Sequence, residues 1–285
     1  MVELKAKRYG IDLVGDSVRI AGRSGGTGRI HIDCFNLPGK DNLGETGIAF
    51  DDSDIYFTIP EKDAIIKKVR VPRDAGIESQ KLAEFEFMAS SLDNADDFIL
   101  ETHPLNKENE RLVFGYRRHL VEQKIKFIEQ NASKPSGFKL RAWALADGYL
   151  NYCRSEGGEL VCLLDISGKH CSICFLEKNR PVIADAITGN GADEDNALGG
   201  EYRLLTDLAA VMQYHQVILF NAGCTAPLSL LIVSGEKITP DLLGAVEQKI
   251  GVKAVPPQAR ESLFTSEAVR EIPEYLVCLG LTVDI

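Results

Sequence analysis

The chain has 285 residues, of which 45% are apolar and 26% are charged, and its formal net charge is −10 at pH 7. This composition is that of a globular protein with enough length for two domains. The acidic charge argues against a nucleic-acid backbone or an anionic membrane surface as the main partner. Because no run of about 18 apolar residues occurs and no signal sequence opens the chain, we expect no direct insertion into a membrane.

The first half of the chain alternates between strand and helix patterns. Apolar residues with a period of two predict strands, and Gly, Pro, Asn and Asp mark the turns between them. A glycine-rich stretch, 23–28, lacks the Lys-Ser/Thr ending of a P-loop and precedes a strand, so we interpret it as a hairpin turn. The predicted strands are 9–14, 17–22, 29–35, 54–59, 65–71, 97–102 and 111–115, and the predicted helices are 78–92, 117–131 and 139–152.

Helix 78–92 carries apolar residues at helical spacing along one face. These residues are Leu82, Phe85, Met88 and Leu92. An apolar stripe of this kind is typical of a helix that packs on a core. We therefore expect the stripe, including Phe85, to be buried.

The second half begins after Gly157 and Gly158 and shows a similar alternation. An acidic segment, 189–200, has no apolar pattern and is interpreted as a flexible loop, and 216–220 is apolar but short. Thr239 is suited to cap a helix, and Gly251 is a typical stop signal. The predicted elements are strands 159–166, 171–177, 181–187, 229–234 and 252–255, helices 202–214 and 240–250, and a buried apolar segment, 273–283.

One pattern occurs in both halves: an apolar strand runs into an Asp, a tight turn containing Gly follows, and a second alternating strand begins. The Asp is Asp12 in the first half and Asp165 in the second. Two such units suggest a duplicated domain with a cleft between the halves. A carboxylate at each strand end is suited to hold a metal-bound phosphate in that cleft.

The order of these elements resembles the actin-like ATPase superfamily and, within it, the PilM family of type IV pilus assembly proteins, which is related to FtsA. Gly10–Leu13 resembles the start of the first phosphate loop of that family, and Ser17–Arg19 resembles its Ser-Val-Lys. Leu164–Ser167 resembles the second phosphate loop, and Leu231–Gly235 resembles the adenosine-loop strand. The likeness covers most of the chain. The related cytoplasmic part of the secretion protein GspL is the close alternative to this resemblance.

The resemblance implies an α/β, actin-like (ribonuclease H-like) fold of duplicated domains, with a small α+β subdomain inserted in the first half. The first domain would span 1–157, with the insert at about 60–131, and the second would span 158–285 with a reduced second lobe. The resemblance also implies a cytoplasmic protein that is peripheral to the inner membrane through a partner.

A nucleotide site of this family uses two glycine-rich turns, whose backbone N–H groups hold phosphate oxygens, and two Asp residues that hold Mg²⁺ through waters. The resemblance implies that the Mg²⁺ ligands would be Asp12 and Asp165. The residues that would contact ATP are Asp12, Gly15, Ser17, Asp165, Ser167, Gly168, Lys169, Ser234 and Gly235.

Several loop residues differ from the family pattern where a phosphate would lie. Val14 and Ser167 replace glycines, and Asp16 and Glu236 add carboxylates. Like charges about 4 Å apart near a protein surface cost roughly 4 kcal/mol before screening. We therefore expect a degenerate site in which ATP and Mg²⁺ are bound weakly or not at all, and we assign no catalytic residue.

Other interpretations stay open. Asp12 and Asp165 could simply cap turns. An active ATPase or small-molecule kinase of the same superfamily, with Asp165 as the base, is the alternative function. Cys171 and Cys174 have redox or zinc spacing, but period two places them on opposite strand faces, so we expect core thiols. The seven dispersed cysteines favour a reduced protein.

The resemblance implies a scaffold that binds the N-terminal cytoplasmic tail of a PilN-like membrane protein, together with other pilus or secretion components. The tail would lie in a groove between the core of the first domain and its insert. That groove would be lined by 60–72, helix 78–92 and the strand near 111–115. An extended peptide that adds to a sheet edge or fills an apolar groove suits this role.

Overall fold

The structure, a computed structural model, describes most of the chain. The described residues are 8–14, 17–24, 31–38, 43, 48, 50, 53–72, 78–91, 94–105, 109–155, 158–168, 170–188, 197–264 and 268–283.

Strands and helices follow one another along both halves of the chain. The strands among the described residues are β1 (Arg8–Val14), β2 (Ser17–Ser24), β3 (His31–Pro38), β4 (Asp54–Ile59), β5 (Ala64–Arg70), β6 (Phe98–Pro104), β7 (Glu110–Arg117), β8 (Gly137–Leu140), β9 (Leu160–Ser167), β10 (His170–Glu177), β11 (Arg180–Thr188), β12 (Leu228–Gly235) and β13 (Ala254–Val255). The α-helices are α1 (Ser79–Ala89), α2 (Arg118–Asn131), α3 (Arg141–Tyr152), α4 (Ala197–Asn221), α5 (Pro240–Ile250) and α6 (Ala268–Leu281). Short 3₁₀ helices span Glu61–Asp63, Ala95–Asp97 and Glu261–Leu263.

Two mixed sheets have the same topology. The first has the strand order β3-β2-β1-β4-β8, and the second has the order β11-β10-β9-β12-β13. In each, three consecutive strands pair antiparallel, and the remaining two add in parallel on the other side of the first strand. This repeated connectivity confirms the prediction of duplicated, ribonuclease H-like halves.

The insert is a small antiparallel sheet, β5-β7-β6, between β4 and β8 of the chain, and it carries α1 and α2. Aromatic side chains join it to the first sheet and to α3. The ring of Phe114 packs 4.8 Å from that of Trp143, and the ring of Tyr116 packs 5.0 Å from that of Phe138, centroid to centroid. These contacts fill the boundary between the core and the insert where the strand β7 passes.

Helices α3 and α6 connect the two halves, because each contacts strands of both sheets. The two helices also pack on each other, and Gly148 and Gly280 lie at their crossing. Apolar residues of both halves therefore share one continuous core, which runs from Ile11 in β1 to Ile232 in β12. This shared core brings the ends of β1 and β9 close together.

Two predictions about helices are wrong. The segment 216–220 is not separate but forms the last turns of α4, because His215 and Leu219 continue the buried face of that helix. On α1, Phe85 is 71% exposed, and the buried residues are Ala83 and Phe87. The small side chain of Ala83 lets the helix pack closely on the small sheet, so that Leu82 and Phe85 of the predicted stripe face outward while Met88 packs against the core of the insert. Leu92 lies outside the described residues.

Candidate functional site

The two carboxylates of the repeated pattern, each two residues before the end of its strand, lie together in the core between the halves. Asp12 in β1 and Asp165 in β9 are both fully buried. Across its hairpin, Asp12 is paired with Arg19 of β2, and Asp165 is paired with Ser172 of β10. The duplicated topology therefore places equivalent positions of the two halves around one centre.

Arg19 lies between the two carboxylates and is itself buried. Its Nη2 donates to Asp12 Oδ2 and to Ser167 Oγ, each at 2.8 Å, and lies 3.4 Å from Asp165 Oδ1. Its Nη1 donates to the main-chain oxygen of Glu274 in α6 at 2.8 Å. One guanidinium group thus joins β1, β9 and the C-terminal helix.

Arg141, the first residue of α3, is the second cation of the centre and is fully buried. Its Nε donates to Asp12 Oδ1 at 3.0 Å, and its Nη1 donates to Ser172 Oγ at 2.7 Å. Its Nη2 forms an ion pair with Asp165. We call Asp12, Asp165, Arg19 and Arg141 the Arg–Asp cluster.

Hydroxyl groups complete the hydrogen bonding of the carboxylates. Thr58 Oγ1 donates to Asp12 Oδ1 at 2.7 Å. Ser167 Oγ donates to Asp165 Oδ1 at 2.8 Å, and Ser234 Oγ donates to Asp165 Oδ2 at 2.9 Å. Every oxygen of the two carboxylates therefore accepts at least one hydrogen bond within the protein.

The charges in the cluster keep each other ionised. Burial alone would raise the pKa of each carboxyl group, but Arg141 and Arg19 outweigh it and lower the pKa of Asp12 and of Asp165. Burial alone would lower the pKa of both guanidinium groups, but the two carboxylates outweigh it and raise the pKa of each. The cluster thus holds two positive and two negative charges at neutral pH, with no net charge.

Glu61 fixes the start of α3 and with it the position of Arg141. Its Oε1 accepts from the backbone N–H of Ala142 at 2.6 Å, which satisfies a donor at the helix N-terminus. Its Oε2 accepts from Ser172 Oγ at 3.0 Å, and His170 Nε2 lies 3.5 Å away. This chain of contacts ties the 3₁₀ helix after β4 to β10 of the second half.

The duplicated sheets and the insert define the actin-like ATPase fold. Within that fold, the structure of a PilM–PilN type IV pilus biogenesis complex is similar to this chain with a TM-score of 0.72 and 16% identity, over 96% of this chain and 97% of that chain. At such low sequence identity the likeness establishes the fold alone.

Two further solved structures share the fold. The cytoplasmic domain of EpsL, an inner-membrane component of the type II secretion system of Vibrio cholerae, has a TM-score of 0.54 at 12% identity, over 92% of this chain and 99% of that chain. A protein of unknown function with an actin-like ATPase fold from Bacteroides thetaiotaomicron has a TM-score of 0.52 at 13% identity, over 98% and 97% of the two chains. No protein-family model matches the chain, and no curated protein matches it in sequence.

The Arg–Asp cluster does not fit a magnesium–nucleotide complex. A Mg²⁺ ion requires carboxylate or water oxygens with free lone pairs in octahedral geometry. In this protein Asp12 and Asp165 face two guanidinium groups at hydrogen-bonding distance and are shielded from solvent. The place between the carboxylates that a cation would take is therefore filled by Arg19 and Arg141.

The predicted site residues Ser17, Gly168 and Gly235 belong to strands and turns next to the Arg–Asp cluster. Ser17 Oγ donates to Glu236 Oε1 at 3.4 Å, and Gly168 has a φ of 56°, which suits its turn. Gly235 has a φ of 119°, and a Cβ there would lie 2.0 Å from the main-chain oxygen of Ile166. Gly235 is therefore required by the pairing of β12 with β9. Gly15 and Lys169 lie outside the described residues, and nucleotide contact by any of these residues stays a prediction.

Sequence reasoning missed the residues that fill the site. Arg141 is followed directly by five apolar residues, 142–146, which is a signal for a buried cation with a partner. Glu61 follows Pro60 directly after a buried strand. Its role depends on a contact with Ser172 of β10, which is far away in the chain, so the local sequence does not reveal it. In the sequence, Arg19 is marked only by the resemblance, because it stands at the position where the family has a Lys.

The other candidate chemistries receive no support in the part of the chain that the structure describes. Within it, no group of three or more His, Cys, Asp or Glu side chains is placed to hold a metal ion. Cys171 and Cys174 are buried core residues, as predicted, and burial raises the pKa of both thiols. Among the described helices, none is long and apolar enough to cross a membrane.

Proposed function

We propose that this protein is a cytoplasmic, actin-like scaffold of type IV pilus or type II secretion assembly. In this role it binds the cytoplasmic tail of a PilN-like inner-membrane protein, and its ATP binding is weak or lost. The observation that carries the loss of ATP binding is the Arg–Asp cluster, because two guanidinium groups take the place of a metal-bound phosphate. The likeness in fold to the PilM–PilN complex and to the cytoplasmic domain of EpsL supports the setting.

The Arg–Asp cluster also holds the two halves together, as a nucleotide bound in a two-domain cleft would. Arg19 and Arg141 each contact a carboxylate of the first half and one of the second. The halves are therefore held together by side chains of the protein itself. A scaffold with this arrangement keeps one conformation whatever the nucleotide concentration.

The alternative of an ATPase or kinase with Asp165 as its base finds no supporting observation. A general base must reach the proton that it abstracts from a substrate. Asp165 is fully buried, and its oxygens accept from Arg141, Ser167 and Ser234. Its lowered pKa also makes it a weak base.

Millimolar Mg-ATP is expected to leave the melting temperature of the protein unchanged. A ligand present at 100 times its Kd would add about 2.7 kcal/mol of stability, which raises the melting temperature by several degrees. The measurement is thermal unfolding with and without Mg-ATP, with a nucleotide-binding actin-like protein as the positive control. A rise of several degrees would contradict the loss of ATP binding.

One segment of a partner tail is expected to bind the purified protein with one-to-one stoichiometry. The probe is a set of overlapping synthetic peptides that covers the N-terminal cytoplasmic tail of the PilN-like protein from the same genome, and the measurement is isothermal titration calorimetry. A scrambled version of the binding peptide is the control. If no peptide of the set binds and no membrane protein copurifies, the scaffold proposal is wrong.

A further inference from the structure

Exposed apolar side chains gather on the last turns of α4, in the second half of the protein. Among the described residues, Tyr214, Val217, Ile218 and Phe220 are four of the six large apolar side chains that are exposed. Phe220 is 67% exposed and Val217 is 58% exposed. A monomeric protein rarely groups such side chains on one face, so this grouping indicates a surface that a partner covers.

Two of these residues belong to a stripe with the spacing of a helix that packs on another helix. Ala210, Gln213, Val217 and Phe220 follow one another at intervals of three and four residues, and all four are exposed. This spacing is that of the contact positions in a pair of coiled helices. The opposite face of α4 is already covered, because Leu208 belongs to the buried core of the second half. We call the four exposed residues the α4 stripe.

A groove of about 550 Å³ lies beside the α4 stripe. Gln213, Val217 and Phe220 form one wall, and Pro227 and Leu228, at the start of β12, belong to the other. A two-fold axis places the protruding part of such a surface opposite the groove of a second copy. The α4 stripe and its groove are therefore complementary to a second copy of themselves.

The surface carries no formal charge, although the chain as a whole is acidic. No Asp, Glu, Lys or Arg occurs between Asp207 and Glu236, and none of the described residues that line the groove is charged. Glu159 and Glu177 approach Cys224 of the groove but do not line it. With a net charge of −10, two copies of the chain repel each other, and this uncharged face lets them meet with the least repulsion.

The same features argue against a membrane surface or an added strand as the occupant. A helix that lies on an anionic membrane carries Lys or Arg beside its apolar face, and α4 has neither after Leu208. Because β12 lies between β9 and β13, the groove offers no open strand edge on β12. The other described helix that exposes large apolar side chains, α1, carries Lys81 and Glu86 beside Phe85. The α4 stripe of a second copy therefore suits this face best.

We propose that two copies of this protein associate through a two-fold contact between their α4 stripes, with Phe220 of each copy in the groove of the other. This inference goes beyond the proposed scaffold function and does not depend on binding of a tail. The contact is confined to three turns of one helix and the adjoining groove, which is less than the roughly 20–30 residues a side of a standard interface. The dimer is therefore expected to be weak and reversible.

Sedimentation of the purified protein, from low micromolar to submillimolar concentration, measures the association. The mass of the wild type is expected to rise with concentration from 31.3 kDa towards twice that value. Phe220→Asp is expected to weaken the association about tenfold or more, because it places a carboxylate in the uncharged groove of an acidic partner. Val217→Asp, on the same stripe, is expected to have the same effect.

The matched control is Phe85→Asp on α1, where the phenylalanine is 71% exposed. This variant is expected to associate as the wild type does. All three substitutions replace exposed side chains, so each variant is expected to melt near the wild-type temperature. Thermal unfolding of each variant separates a loss of association from a loss of folding.

Salt provides an independent readout of the same contact. Higher ionic strength screens the repulsion between two acidic copies and leaves the apolar contact intact, so the association of the wild type is expected to strengthen. A dimer held by ion pairs would weaken under these conditions, and that result would contradict the proposal.

Several results would overturn the proposal. One is a wild type that stays monomeric over the whole concentration range, and another is a dimer that Phe85→Asp weakens and Phe220→Asp leaves unchanged. If Phe220→Asp instead abolishes flotation with phosphatidylcholine vesicles or binding of a tail peptide by the monomer, the face belongs to lipid or to the tail. Failure of every tail peptide to bind contradicts the scaffold function alone and leaves the dimer in place.

Discussion

Replacing Arg141 with Met is expected to lower the free energy of unfolding by about 3–5 kcal/mol. The substitution keeps most of the side-chain volume but removes the cation that contacts both Asp12 and Asp165. Two buried carboxylates then share the single guanidinium group of Arg19, and each is poorly compensated. Urea unfolding at neutral pH, followed by circular dichroism, measures the loss.

The matched control is Arg154→Met, which removes an exposed cation. The side chain of Arg154 is 58% exposed, and it lies 3.7 Å from Glu261. A surface ion pair of this kind contributes about 0–1 kcal/mol, so the control is expected to unfold near the wild-type midpoint. If Arg141→Met does not fold, Arg141→Lys, which retains the charge, is expected to fold with an intermediate loss. A loss below about 1 kcal/mol for Arg141→Met would show that the cluster does not hold the halves together.

Gly280→Ala is expected to destabilise the protein by about 3 kcal/mol, which is large for one added methyl group. A Cβ at Gly280 would lie 1.7 Å from the main-chain oxygen of Ala144 in α3. Since a backbone oxygen cannot move away as a flexible side chain can, α6 and α3 would have to separate. Their separation would also disturb Arg141 at the start of α3. Thermal and urea unfolding measure the effect.

The same substitution in another helix provides the control. Gly244 lies in α5, is exposed, and has nothing within 4 Å of the position of an added Cβ. Gly244→Ala is expected to stabilise the protein by up to about 1 kcal/mol, because Ala favours the helix more than Gly does. Equal effects of the two substitutions would contradict the close approach of α3 and α6.

The spacing of apolar residues and the positions of turn-forming residues predict most of the fold. Strand 17–22 alternates, and strand 159–166 contains the apolar run 160–164. They appear in the structure as β2 and β9, respectively, with nearly the same bounds. Thr239 caps α5 by accepting from the Leu242 N–H, and Gly251 ends the helix in a left-handed conformation, as their positions predict. These features depend on local chemistry, which a short stretch of sequence contains.

The site could be predicted only in part. Asp12 and Asp165 stand out because each interrupts an apolar strand near its end, and the duplication brings them together. The cations between them are long side chains from β2 and α3, and their direction depends on contacts between segments far apart in the chain. The orientation of helix α1 likewise depends on contacts with distant segments. Its apolar stripe suggests a buried Phe85, but the small sheet packs against Ala83 and Phe87 instead.

The aromatic contacts between the insert and the first core have a practical consequence for fluorescence spectroscopy. Trp143 is the only tryptophan of the chain, and its ring packs on Phe114 and beside His103 of the insert. Selective excitation of tryptophan therefore reports the attachment of the insert, while the second half contributes no emission of its own. The protein thus contains an intrinsic fluorophore that distinguishes detachment of the insert from unfolding of the second half.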